Sequence, residues 1–380
     1  MRDEFDVVVV GAGPAGAAAA LAARRAGAEV LLLDRADFPR DKACGDGIAA
    51  HALDVLAELG VADAVAGHPP VPALRLIAPR GGAVARVLPR PAYTVPRKVF
   101  DARLVAAAVD AGALLRRRTV RRVETRPDRV VLDGEISARV LVGADGAGSV
   151  VRRALGQRAN PDRHLALAIR GYAPAPPGPP VQLIVTSAAR WPAYAWSFPI
   201  GDGRANVGYG EVLRGEALSR EHLLDRLAAL LPGTGSARVT GLRAHHLPLS
   251  TFRPLPGRGR VLLAGDALSL INPFTGEGIF YALRSGALAG VAATSAPEQA
   301  ARWYALALRR RLGTHLRHSS MAAWLARHVR IVDAAVLAAR RDERVFDTMV
   351  ELGLGDGLLN ARTLGLIALG LSARHRPPAH

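Results

Sequence analysis

The stretch Phe5-Asp6-Val7-Val8-Val9-Val10-Gly11-Ala12-Gly13-Pro14-Ala15-Gly16, followed on to Asp34, decides the fold of this chain. Residues 5–10 form a Val-rich apolar run of the kind buried in a parallel sheet. A Gly-rich turn follows at once, then an Ala-rich helical stretch to Arg25, a stop at Gly27, and a second apolar run over residues 29–33 that ends in Asp34. Strand, Gly-rich turn, helix, strand and terminal acid make a βαβ dinucleotide-binding unit. Gly11 permits the tight turn, Gly13 lets the backbone approach a pyrophosphate, and Gly16 lets helix and strand pack closely. Pro14 and Ala15 open the helix, whose free N–H groups attract phosphate. Asp34 stands about 20 residues on, where an acid reaches a ribose hydroxyl.

Two later junctions repeat the theme of a buried strand entering a turn of small residues. One is Val140-Leu141-Val142-Gly143-Ala144-Asp145-Gly146, leading to a helix start at residues 150–152. The other is Val261-Leu262-Leu263-Ala264-Gly265-Asp266, followed by Asn272-Pro273-Phe274-Thr275-Gly276-Glu277-Gly278-Ile279. In the second, an acid ends a strand and can bond polyol hydroxyls. The N–H groups of Gly278 and Ile279 at a helix start can face an electron-rich ring edge.

Composition narrows the class. The chain has 380 residues, half of them apolar, with a formal charge of +17 and a single cysteine, Cys44. One cysteine excludes internal disulfides and cysteine zinc cages. With no basic–apolar leader, it suggests a reducing cytoplasm, with peripheral contact at the inner membrane face. Nearly all the positive charge is Arg; Lys occurs only at Lys42 and Lys98. The arginines are scattered and not interleaved with aromatics, which argues against nucleic acid and for a codon-driven bias. Apolar stretches such as residues 363–371 fall short of the ~20 residues that span a bilayer. His245, His246, His315 and His318 lack the carboxylate partners of a metal site, and His315 and His318 suit a helix surface. Arg309, Arg310 and Arg311 suit a solvated face.

Together and in order, the three junctions resemble the FAD-binding signatures of the flavoprotein superfamily typified by p-hydroxybenzoate hydroxylase, from Asp6 to about Leu283. The resemblance implies FAD, with Asp34 on the adenosine ribose and Asp266 near the ribityl–pyrophosphate region. Arg97, in Val95-Pro96-Arg97-Lys98, matches an arginine that lies near the cofactor. Arg35, Val120 and Asp145 join the expected contacts, with Pro273, Gly276, Gly278 and Ile279 from the last loop. No second Gly-rich βαβ unit stands ready for NAD(P)H, so a nicotinamide donor visits transiently or another redox protein supplies electrons.

Two further segments resemble the geranylgeranyl reductases within that superfamily. Lys42-Ala43-Cys44-Gly45-Asp46-Gly47 matches a Lys-x-Cys-Gly segment that passes beside the flavin, which brings in Cys44, Gly45 and Gly47. Tyr194-Ala195-Trp196-Ser197-Phe198-Pro199 matches a Tyr-x-Trp-x-Phe-Pro motif lining a prenyl cavity, although Trp191 stands where the pattern often has Pro. Alternation puts Tyr194, Trp196 and Phe198 on one strand face. The flanking glycines and Lys42 suggest a polar, exposed setting that activates the Cys44 thiol. The flavin-dependent halogenases carry Trp where Tyr194 stands and need a dedicated lysine, which neither Lys42 nor Lys98 suits.

The expected architecture is α/β. A discontinuous Rossmann-like FAD domain takes residues 1–70, 95–160 and 255–300. An antiparallel substrate sheet takes 71–94 and 161–254, with short, doubtful strands over 68–91. Residues 301–372 are helical, capping the cavity or touching a membrane, and 373–380 are a disordered tail. The expected reaction adds a hydride from flavin N5, with a proton, to an isolated C=C bond of a prenylated lipid. Oxygen insertion into an aromatic or terpenoid is the alternative.

Overall fold

The computed structural model describes residues 3–233 and 238–373; the expected tail beyond residue 373 lies outside them. The architecture is the expected α/β one. Five parallel strands form the body of the first sheet, in the order Val261–Leu263, Ile136–Gly143, Asp3–Val10, Val30–Asp34 and Leu114–Arg117. Val7 to Val10 and Val140 to Val142 are buried, because helices cover both faces of a parallel sheet. A hairpin of Val123–Thr125 and Val130–Leu132 runs antiparallel beside Ile136–Gly143. Leu114–Arg117 was not anticipated: it is an edge strand whose consecutive arginines hide its periodicity.

The helices Pro14–Arg25 and Ile279–Ser295 cross with almost no side chain between them. A Cβ on Gly286 would overlap the Ala15 carbonyl, and one on Gly290 the Ala19 carbonyl. This close approach presents the N-terminal ends of both helices to one space.

The second sheet runs Thr240–Pro248, Leu165–Pro174, Arg204–Val212, Ala193–Pro199, Val181–Thr186, Val71–Ile77, Ala83–Thr94 and Gly47–Ile48. It is antiparallel except where Val181–Thr186 pairs in parallel with Val71–Ile77. The strands over 68–91 are neither short nor doubtful. Val71–Ile77 and Ala83–Thr94 form a long hairpin whose prolines obscure the alternation. The buried side chains of that hairpin, Leu74, Val84 and Leu88, pack on Val336, Ala339 and Phe346 of the C-terminal helices Val329–Arg341 and Glu343–Leu354. Two more helices, Ala300–Leu325 and Ala361–Ala373, complete the expected helical region. No helix among the described residues is long and apolar enough to cross a membrane.

Candidate active site

Between the two sheets lies a cavity of about 720 Å³. Its walls come from segments far apart in sequence. The Gly-rich turn supplies Gly13, Pro14 and Ala15; the next loop Lys42, Cys44, Gly45 and Gly47; the third junction Asp266, Pro273, Gly276, Gly278 and Ile279. Tyr194, Trp196 and Phe198 face them from the second sheet, and Ala323 and Trp324 of the C-terminal helices help close the space. The expected cap is therefore part of the wall.

The turn at residues 11–16 is built for close approach. Gly11 has φ +98°, a conformation other residues rarely adopt, and a Cβ on Gly16 would overlap the Gly11 carbonyl. Asp34 holds this turn, accepting from the Ala12 N–H at 2.9 Å and from the Ala36 N–H at 2.9 Å. Gly13 faces the guanidinium groups of Arg40 and Arg97. Arg97 is buried and grips Asp101 at 2.5 and 2.7 Å. Burial opposes its charge, but Asp101 raises its pKa above the ordinary arginine value. Arg40 bridges Asp101 at 3.1 Å. Two cations and an uncapped helix N-terminus thus surround a bare backbone at Gly13, a setting that suits a pyrophosphate.

Across the cavity, Asp266 meets Lys42 Nζ at 3.0 Å and His245 Nε2 at 3.8 Å. Burial works against the Asp266 carboxylate, but Lys42 and then His245 outweigh it and hold its pKa well below the usual range. Glu277 accepts from the Phe280 N–H at 2.8 Å, and burial pushes it up to about 7.

The aromatic strand is tied to both loops. The indole of Trp196 and the ring of Phe198 lie against Gly45, and Phe198 lies against Gly47 as well. Tyr194 donates its hydroxyl to the Thr275 carbonyl. Trp196 Nε1 donates to Asn206 Oδ1 at 2.8 Å, and Asn206 Nδ2 donates to the Cys44 carbonyl and to Asp46 at 2.8 Å each. Tyr172 adds a 2.6 Å bond to Asp46, while Arg170 donates to the Lys42 carbonyl at 2.9 Å and pairs with Asp41. The loop carrying Cys44 is thus fastened to the second sheet.

Several expected residues play other parts. The Asp145 carboxylate accepts from Ser149 Oγ at 2.5 Å and Val150 N–H at 2.7 Å, capping the helix Val150–Ala154, while its neighbours Ala144 and Gly146 line the cavity. Pro199 falls outside the lining, because alternation turns it away from the face that presents Phe198. Arg35, which is exposed, and Val120, packed in the core of the first sheet, lie outside the cavity lining, as does Asp34 behind the Gly-rich turn. The Cys44 thiol is not activated. Burial raises its pKa against the lowering effect of Arg97, so it stays protonated. His315 is not on the surface: it is buried, with Nε2 2.5 Å from the Tyr281 hydroxyl. No metal-holding cluster exists among the described residues. Sequence reasoning passed over Glu277, although it lies inside the quoted Gly-rich loop, and weighed His245 only as a metal ligand. Asn206 carried no local signal.

Comparison with known proteins places the chain among flavoproteins. Residues 4–173 match the family model described as FAD binding domain. The chain is 36% identical over 312 residues to a menaquinone reductase of Mycobacterium tuberculosis, covering 76% of each. It is 36% identical over 329 residues to digeranylgeranylglycerophospholipid reductase 1 of Methanopyrus kandleri, covering 78% of this chain and 82% of that one. A geranylgeranyl bacteriochlorophyll reductase-like structure from Thermoplasma acidophilum superposes with a TM-score of 0.80 at 21% identity, over 96% of each chain, a likeness of fold.

Proposed function

Since this chain belongs to the geranylgeranyl reductase family of FAD-dependent flavoproteins and is a flavin-dependent oxidoreductase, we propose that it reduces isolated C=C bonds in the prenyl chain of a lipid or quinone. The observation that carries this reading is the face of Tyr194, Trp196 and Phe198, which lines an apolar cavity and lies directly against the loops at residues 44–47 and 273–279. The two named relatives act on menaquinone and on a digeranylgeranylglycerophospholipid, both of which carry long prenyl chains.

When bound and reduced, FAD supplies the hydride. In this reading Gly13, Arg40 and Arg97 hold the pyrophosphate, Asp34 takes the ribose, and Asp266 takes the ribityl end with Lys42 beside it. An isolated alkene accepts hydride poorly, so a proton has to arrive with it. The protonated Cys44 thiol lies in the cavity wall and is our candidate donor; Glu277, in the wall of the same cavity and with its pKa near 7, is our candidate for the acid that replenishes it. The aromatic face holds the alkene in a dry pocket and excludes water. Electrons reach the cofactor from a visiting NAD(P)H or from another redox protein.

The test is anaerobic incubation of the dithionite-reduced holoenzyme with a panel of prenylated quinones and lipids, read by mass. A gain of two hydrogens per reduced bond is expected. A product formed only with oxygen and carrying an added oxygen atom would overturn the proposal in favour of a monooxygenase.

A further inference from the structure

Among the residues lining the cavity, the exposed ones are Arg163, Pro192, Arg214, Trp324 and Arg327, and these mark where it meets solvent. All but Arg163 are joined in one connected rim. Arg214 donates to the Trp191 carbonyl, Trp191 Nε1 donates to the Ala326 carbonyl at 2.5 Å, and the Arg327 guanidinium lies 5.6 Å from the Trp324 ring centre. Arg253 extends the rim, donating to the Leu316 carbonyl at 2.7 Å and to Ser320 Oγ at 2.9 Å beside the cavity wall. It also stands near enough to Arg317 to feel that charge.

Several arginines elsewhere are neutralised, Arg190 by Glu211 and Glu216, Arg243 by Asp41 and Arg311 by Asp356, and others such as Arg121 are not; what sets the rim apart is that its arginines gather at the cavity mouth beside an exposed indole. Arg163, Arg214, Arg253, Arg317 and Arg327 are ion-paired with no carboxylate among the described residues. Like charges gathered without counter-charges are costly unless an anionic surface meets them. Trp324, 55% exposed, and Met321, 40% exposed, stand apolar among them on the last turns of Ala300–Leu325. Exposed indole ringed by unpaired arginine is the chemistry of the bilayer interface, where the ring enters the headgroup layer and guanidinium groups meet lipid phosphates.

We infer that this rim is a docking surface for an anionic phospholipid bilayer, seated so that the cavity opens directly onto the membrane. A prenyl chain then passes from lipid to cavity without crossing water. The inference goes beyond the proposed chemistry, and its central test needs no turnover.

Purified holoenzyme is mixed with vesicles of phosphatidylcholine alone or with phosphatidylglycerol and sedimented. Binding to the anionic vesicles alone, weakening as salt rises, is expected. The Arg253→Glu/Arg317→Glu variant should bind them about tenfold more weakly or worse, and Trp324→Ser severalfold more weakly. Reversal of Arg121 and Arg126, on the hairpin beside the first sheet, should change nothing. Flavin absorbance and Tm establish that each variant is folded. Equal losses from the rim and the hairpin variants, or wild-type binding by the rim variants, would overturn the inference. A detergent-dispersed short prenyl substrate separates the two claims: Arg253→Glu/Arg317→Glu should turn it over normally, and failure of every protein to do so rejects the chemistry while leaving the docking result intact.

Discussion

The side-chain amide of Asn206 donates to the carbonyl oxygen of Cys44 at 2.8 Å, joining the second sheet to the cofactor loop across 162 residues of sequence. The same side chain receives the Trp196 indole N–H and donates to Asp46, so one buried amide sets both walls of the cavity. Asn206→Ala leaves the indole N–H and a buried carboxylate short of partners. We expect a loss of about 2–3 kcal/mol, read as a lower urea midpoint, with weaker FAD binding. Leu218→Ala, in the satellite core of the second sheet, should lower stability without weakening FAD binding.

Gly13 separates cofactor binding from folding. Its φ of −75° suits any residue, and the nearest atoms to an added Cβ are the far ends of Arg40 and Arg97 at 3.5 and 3.9 Å. Gly13→Val should therefore fold with a normal circular dichroism spectrum but purify without yellow colour. Gly16→Val, which drives a side chain into the Gly11 carbonyl, should fail to fold.

Asp46 is fully buried, and burial raises its pKa from 3.8 to about 6. A carboxyl whose pKa is higher folded than unfolded binds protons more tightly in the native state. Its contribution to stability is therefore greatest below the unfolded value and is lost as pH rises from about 4 to 6, by up to about 3 kcal/mol. Urea midpoints for wild type and Asp46→Asn at pH 4.5 and 7 should diverge in that sense, with the wild type losing more on the way up.

Cys44→Ser tests the proton donor. The hydroxyl keeps the size and polarity of the site but is a far weaker acid. FAD content and the rate of flavin reduction should be unchanged, while alkene reduction by the reduced enzyme slows by about 10²-fold or more. Stopped-flow absorbance separates the two half-reactions. Equal slowing of both would point to a role in holding the cofactor.

Tyr194→Phe removes the hydroxyl bonded to the Thr275 carbonyl and leaves the ring. The loop at residues 273–279 should loosen, raising the FAD dissociation constant severalfold at a cost of about 1 kcal/mol. Phe198→Ala should instead spare FAD and raise KM for the prenyl substrate.

The resemblance carried by the joint order of the signatures implied FAD, while the βαβ unit and the two later strand-to-turn junctions were themselves legible in the sequence. Each depends on contacts within a few tens of residues: an apolar run long enough to be buried, glycines where backbone must come close, an acid at a strand end. The pattern of Tyr194, Trp196 and Phe198 was legible for the same reason, since alternation alone puts them on one face. The pairing of Val71–Ile77 with Ala83–Thr94 was not, because prolines interrupt a period that sheet neighbours and the C-terminal helices sustain. Nor was the protonation of Cys44, the burial of His315, or the contact of Lys42 with Asp266 across 224 residues. Solvent exclusion and charge pairing belong to the assembled fold, and no window along the chain contains both partners.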